Sequence, residues 1–135
     1  HQNYPGVLGI GFAAYAPDRA TIERLAQQAR AEGQVPFTVR PPGDRPDYSI
    51  IMYLEPLDRF NQAAIGFDML SEANRRTAME AARDARQAVL SGKVRLVQEI
   101  DPVKQPGFLL YLPLYRDAEQ PGTLYGWIYS PLRAH

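Results

Sequence analysis

Ile65-Gly66-Phe67-Asp68-Met69-Leu70-Ser71 is the segment from which the rest of the chain can be laid out, because it sets one carboxylate between an apolar run and an amphipathic pattern. The apolar residues 64–67 predict a short strand, and the pattern that begins after Asp68 predicts a helix. We therefore expect Asp68 to be buried where strand and helix meet. Its carboxylate can cap the free N–H groups of the helix start or anchor a ligand, and both roles remain open.

A strand and a helix are predicted near the start of the chain. Residues 7–15 are apolar or small, which predicts a strand covered on both faces near the centre of a sheet. Asp18 is placed to cap a helix, and Gly33 is placed to end it. The apolar residues of this helix recur at spacings of three and four: Ile22, Leu25, Ala26 and Ala29.

The next part of the chain predicts two strands separated by a loop. Residues 37–39 indicate a short strand, and residues 49–54 indicate a longer apolar one. Residues 40–48 contain three prolines, which fix φ and remove backbone donors. This segment is therefore predicted to be an irregular surface loop.

A second helix is predicted after Asp68. Ser71 is placed to cap this helix and Gly92 to end it. Arg75 and Arg76 are predicted on a solvated face, where ion pairs contribute little. One narrow stripe is predicted to face the sheet: Ala78, Ala81, Ala82, Ala85 and Val89.

Three strands are predicted in the last third of the chain, at residues 94–99, 107–115 and 124–129, with a loop at 101–106. Consecutive strands without an intervening helix are antiparallel by default. The expected fold class is therefore α/β (α+β), with an antiparallel or mixed central sheet and helices packed on one side of it.

Composition excludes several classes of protein. The 135 residues suit a single domain, and 15 basic residues balance 15 acidic ones, so nucleic-acid binding is disfavoured. Cysteine is absent, and the two histidines are His1 and His135, which leaves no internal thiolate or imidazole. We expect no catalytic residues, no metal site and no cofactor. An enzyme that uses Asp68 with a tyrosine is the least favoured alternative.

The Asp68-Met69-Leu70-Ser71 junction, the helix after it and the strands at 94–99 and 107–115 together resemble the CHASE domain family. The resemblance runs from Tyr4 to Gly126. CHASE domains are extracytoplasmic sensor modules of membrane-anchored histidine kinases and cyclases, and plant cytokinin receptors are their best-known members. The resemblance implies a PAS-like sheet with helices, arranged as one or two subdomains. In many members Asp-Thr/Ser-Gly ends the long helix, whereas this chain has Asp84-Ala85-Arg86, so the helix is expected to continue further.

The resemblance also implies a set of ligand-binding residues. In plant cytokinin receptors the matching aspartate hydrogen-bonds the adenine ring, and Asp68 falls on that position. Leu110 and Leu112 share one face of their strand, whereas Leu109 and Tyr111 share the other, and one pair must face inward. By similarity to the family, the candidate pocket residues are Asp68, Leu90, Leu110, Leu112, Tyr111 and Tyr53. Plain packing in the core is the competing interpretation for each leucine and tyrosine.

The resemblance implies that residues 1–135 are a single sensor domain core, cut from a longer membrane receptor. It would lie in the periplasm or outside the cell, on an inner (plasma) membrane protein with a histidine kinase or diguanylate cyclase output. The expected ligand is a small molecule, with an adenine-type or cytokinin-like compound as one option. A homodimer through flanking helices is expected, and membrane contact only through segments outside this chain. The alternative is a module that binds a periplasmic protein and has no small-molecule ligand.

Overall fold

The computed structural model describes residues 9–34, 36–95, 106–116 and 123–133. The predictions for residues 7–8, 96–99 and 101–105 therefore lie outside the described residues. The elements are β1 (Ile10–Ala16), α1 (Arg19–Ala31), β2 (Tyr48–Glu55), α2 (Arg59–Gln62), a 3₁₀ turn (Met69–Ser71), α3 (Ala73–Ala85), β3 (Val89–Leu90), β4 (Val94–Arg95), β5 (Pro106–Tyr115) and β6 (Leu124–Arg133).

The strands form one sheet in the order β2-β1-β6-β5-β3, and β4 also pairs with β5. Every pairing between these strands is antiparallel, which confirms the predicted fold class. β1 lies between β2 and β6, as its run of apolar and small residues predicts. Strands that are distant in sequence thus meet at the centre of the sheet.

The two long helices pack on opposite faces of the sheet, so the prediction that helices cover one side is wrong. α1 packs on the face that presents Ala14 and Ile50, whereas α3 packs on the face that presents Ala13 and Ile51. Neighbouring residues of a strand point to opposite faces, and both faces of β1 and β2 are apolar. Each face therefore needs a cover of its own.

The first helix forms as its sequence predicts. Asp18 adopts an extended backbone and its Oδ1 accepts a hydrogen bond from the Thr21 N–H at 2.8 Å. Ile22 and Ala29 are buried on the sheet side. The helix ends at Ala31, and Gly33 follows with a left-handed φ of 97°.

Two short predicted strands are wrong. Residues 37–39 are irregular, and residues 63–66 form turns that end in isolated bridges at Phe67 and Asp68. Gly66 explains the second case, because its φ of 92° is left-handed and a Cβ there would lie 2.2 Å from the Thr38 carbonyl oxygen. The apolar residues before Asp68 are therefore buried by a turn and not by a strand.

The second long helix is shorter than predicted and turns a different face inward. Its N-cap is Glu72 and not Ser71, and it ends at Ala85, followed by the C-cap Arg86 with a left-handed φ of 56°. The buried stripe consists of Arg75, Ala78, Met79 and Ala82, whereas Ala81 and Ala85 are exposed. Val89 lies in β3, outside the helix.

Arg75 corrects the prediction of a solvated face at the start of α3, because its side chain is almost fully buried. Its guanidinium donates a hydrogen bond to Glu72 at 3.2 Å and lies 5.4 Å from the centre of the Phe67 ring. Contact with an aromatic face and a carboxylate compensates an arginine for the loss of water. The buried stripe of α3 therefore begins at Arg75, one turn before Ala78, where the predicted stripe begins.

The buried tyrosines make this fold sensitive to alkali. Burial raises the pKa of Tyr129, and its hydroxyl has no hydrogen-bond partner among the described residues. Above pH about 10 the unfolded chain ionises this phenol and the folded chain does not, so the free energy of unfolding falls by about 1.4 kcal/mol per pH unit. Tyr129→Phe is expected to reduce that slope in denaturant titrations between pH 9 and 11. Equal slopes for wild type and variant would contradict the prediction.

Candidate functional site

Asp68 is fully buried, and its two carboxylate oxygens have different partners. Oδ1 accepts hydrogen bonds from the backbone N–H groups of Ser49, at 2.7 Å, and Leu70, at 3.1 Å. Oδ2 accepts from Nε of Arg45 at 2.7 Å. One oxygen thus caps the 3₁₀ turn and binds β2, and the other faces a side chain that enters from a loop.

Arg45 comes from the proline-containing loop 40–48 and covers Asp68 from the outside. Its Nη2 donates to the Pro41 carbonyl at 2.9 Å, and its guanidinium carbon lies 5.2 Å from the centre of the Tyr48 ring. The Arg45 side chain is 18% exposed, while that of Asp68 is 0% exposed. The ion pair therefore lies just below the surface, and the arginine is the member that meets solvent.

A second ion pair fixes the same loop to α3. Asp47 accepts hydrogen bonds from Arg76 Nη2 at 2.8 Å and from the Tyr15 hydroxyl at 2.9 Å. Burial and the bond to Asp47 raise the pKa of Tyr15 to about 12. Arg76 also donates from Nε to the Leu70 carbonyl at 2.9 Å. The loop is thus attached to Asp68 through Arg45 and to α3 through Asp47.

Four of the six candidate site residues lie on the sheet face opposite α3, and they are substantially exposed. Leu90 is paired with Leu110 across β3 and β5, and Leu112 follows two residues later on the same face. The exposed fractions are 52% for Leu90, 40% for Leu110, 45% for Leu112 and 48% for Tyr53. Leu109 is the strand neighbour that faces inward. These leucines therefore line an open sheet face.

Tyr111 lies on the other face and is completely buried. Its hydroxyl contacts the sulfur of Met69 at 3.4 Å, and burial raises its pKa well above the ordinary value. Met69 directly follows Asp68, so the fold brings Tyr111 into contact with the residue next to the carboxylate. The six candidates do not line one common pocket: two are buried on the α3 side or at the β2 edge, and four face outward.

Sequence reasoning missed the partners of these residues. The prolines predict a surface loop at 40–48, but they do not indicate that its Arg45 covers the buried Asp68. No sequence signal singles out Arg24 and Arg116. With Phe12, Tyr53 and Tyr125 they line a cleft of about 340 Å³ between α1 and the sheet. Alternation along β1 and β6 was the available signal for the aromatic residues.

Within the described ranges, no group of three or more acidic or histidine side chains is arranged to hold a metal ion. The helices of the described segments all lack the length and hydropathy needed to span a bilayer. The buried ion pair and the aromatic cleft offer charge and shape for recognition.

An antiparallel sheet of order β2-β1-β6-β5-β3, with helices inserted between β2 and β3, is the arrangement of PAS-like sensor domains. The chain belongs to the CHASE domain family, whose family model matches residues 1–135, the whole chain. CHASE domains are sensory domains of signalling receptors and are not themselves catalytic. No curated protein matches the chain significantly.

Proposed function

We propose that this CHASE domain is the extracytoplasmic, ligand-sensing part of a transmembrane receptor with a histidine kinase or diguanylate cyclase output. One observation carries the proposal: Asp68 Oδ1 is occupied by two backbone N–H groups, whereas Oδ2 is held by a single side chain, Arg45. A carboxylate can therefore keep its structural bonds while one oxygen changes partner. The expected ligand presents an N–H donor, as an adenine-type ring does.

The proposed mechanism is an exchange at Asp68 Oδ2. A ligand N–H replaces Arg45 Nε, and the guanidinium turns outward, where it is already 18% exposed. A buried carboxylate must have a donor, so the exchange is possible only if the ligand supplies one. Loop 40–48 loses one of its attachments, and its pair Asp47 with Arg76 passes the change to α3, while Asp44 stays paired with Arg19 on α1. The signal then depends on the ligand's differential affinity for the two loop positions.

This proposal predicts which compounds stabilise the isolated domain. Thermal unfolding is measured with adenine, cytokinins, amino acids and small carboxylates. A compound present at one hundred times its Kd should stabilise the fold by about 2.7 kcal/mol, which is roughly 10 °C for a chain of this size. Asp68→Asn keeps an oxygen for the backbone donors and removes the charge, so it should abolish the shift.

Arg45→Ala is the informative companion variant. It removes the donor that competes with the ligand for Asp68 Oδ2. The ligand should therefore bind the variant at least as tightly as it binds wild type. Arg59→Ala, on α2, removes an exposed arginine elsewhere and serves as the matched control. An adenine or cytokinin that stabilises wild type and Asp68→Asn equally would overturn the exchange at Asp68.

A second candidate is a sensor that binds a periplasmic protein and no small molecule. The exposed pair Leu90 and Leu110, with Leu112 beside them, supports it, because contiguous apolar surface on a sheet commonly marks an interface. This candidate predicts that no compound of the panel changes the unfolding temperature. We also propose that the receptor forms a homodimer through helices that flank this domain. The oligomeric state of a receptor that contains those helices tests this.

A further inference from the structure

A cleft of about 340 Å³ separates α1 from the sheet on the face away from α3, and Asp68 is not among the residues that line it. It opens because α1 covers only the β1–β2 side of this face, which leaves β6 partly bare. Six side chains carry the argument: Phe12, Arg24, Gln28, Tyr53, Arg116 and Tyr125. The volume is at the lower end of the range for small-molecule sites.

The walls of the cleft are aromatic. Phe12 and Tyr125 stack with ring centres 5.2 Å apart and 29° between their planes. Tyr53 lies directly opposite Phe12 in the β1–β2 register. Tyr53 and Tyr125 are 48% and 44% exposed, so both offer ring surface to the solvent that fills the cleft. Such walls suit a flat ring.

The charged side chains that line the cleft are both arginines. Arg116 lies over the Tyr125 ring, 4.9 Å from its centre, and Arg24 projects from α1. Within the described ranges neither guanidinium takes part in an ion pair closer than 4.0 Å.

Two carboxylates lie near this cleft. Asp18 caps α1, and its hydrogen bonds to Thr21 are the main cause that lowers the pKa of its carboxyl group. Arg24 contributes less to that lowering. Glu32 accepts the Tyr53 hydroxyl at 2.9 Å. Each of these acids already has a partner, so with respect to the residues that the structure describes the two guanidiniums remain open to an anion.

We infer that the cleft binds a planar aromatic carboxylate of single-ring size. The ring lies against Phe12, Tyr53 and Tyr125, and the carboxylate lies between Arg24 and Arg116. The amide Nε2 of Gln28, also in the lining, donates one hydrogen to Glu32 at 3.4 Å and has a second one to offer. As an input to signalling this site rests on the proposed sensory function, but binding itself involves neither Asp68 nor Arg45.

Benzoate is the probe, with benzamide and cyclohexanecarboxylate as matched compounds. Binding to the isolated domain is followed by ¹H–¹⁵N NMR titration. Benzamide keeps the shape and removes the charge, and cyclohexanecarboxylate keeps the charge and removes the flat ring. Each is expected to bind about tenfold or more weakly than benzoate, because each removes one of the two interactions.

The variants separate this site from the one at Asp68. Arg24→Gln and Arg116→Gln should each weaken benzoate about tenfold, whereas Arg59→Gln removes the same charge outside the cleft and should leave it unchanged. Asp68→Asn should bind benzoate like wild type, so failure of the exchange at Asp68 would leave this result intact. No benzoate binding at millimolar concentration, or equal binding of benzoate and benzamide, would overturn the inference.

Discussion

Asp68→Ala is expected to lower the free energy of unfolding by about 4 kcal/mol, a large share of the 5–15 kcal/mol of an ordinary domain. The substitution leaves the N–H groups of Ser49 and Leu70 without their acceptor and Arg45 without its counter-ion. All three partners lie in different segments, so the loop, β2 and the 3₁₀ turn lose their common attachment. Urea-induced unfolding followed by circular dichroism measures the loss.

Asp68→Asn is the matched control for this result. The amide oxygen can still accept from the two backbone N–H groups, and only the ion pair with Arg45 is lost, so the expected loss is about 1–2 kcal/mol. Equal losses for the two variants would mean that the charge carries the whole effect. A loss under 1 kcal/mol for Asp68→Ala would mean that the carboxylate does not hold these segments together.

Trp127→Ala is expected to cost a similar amount, about 4 kcal/mol, for a different reason. The indole is 1% exposed, its Nε1 donates to the Met79 carbonyl at 3.0 Å, and it packs edge-on against Tyr15 with ring centres 6.0 Å apart. Truncation opens a cavity between β6 and α3. Thermal and urea unfolding of the variant measure the cost.

Trp127→Phe separates packing from hydrogen bonding. It retains an aromatic ring and loses the bond to Met79, so the expected loss is about 1–2 kcal/mol. If the phenylalanine variant were as unstable as the alanine variant, the hydrogen bond and not the ring volume would hold α3 on the sheet.

The elements that could be predicted from the sequence are those whose signals are local. Helix α1 could be predicted because its cap Asp18, its apolar spacing and Gly33 all lie within sixteen residues. β5 and β6 follow from long apolar runs, and their antiparallel order follows from the short stretch of sequence that joins them. The family resemblance carried by the Asp68 junction was likewise a local motif, and the match over residues 1–135 confirms it.

The errors arose where distant residues decide the structure. The apolar run before Asp68 is a turn because Gly66 lies against the Thr38 carbonyl, 28 residues away. The charged start of α3 is buried because Arg75 finds the Phe67 ring and Glu72. Arg45 could not be assigned to Asp68, since 23 residues and a proline loop separate them. Leu110 could not be placed on the open face, because alternation alone does not say which face α3 covers.

The central pairing of β1 with β6 has a mechanical consequence. Gly11 is opposite Tyr129 and Ala14 is opposite Gly126, so β1 begins beside the place where β6 runs toward its end. Sliding one strand past the other by a single residue would shift these two points by about 3.3 Å and turn Trp127 and Tyr129 out of the core. Because such a slip would expose these two aromatic side chains, the two strands keep their register. A force applied along β1 is therefore transmitted directly to β6.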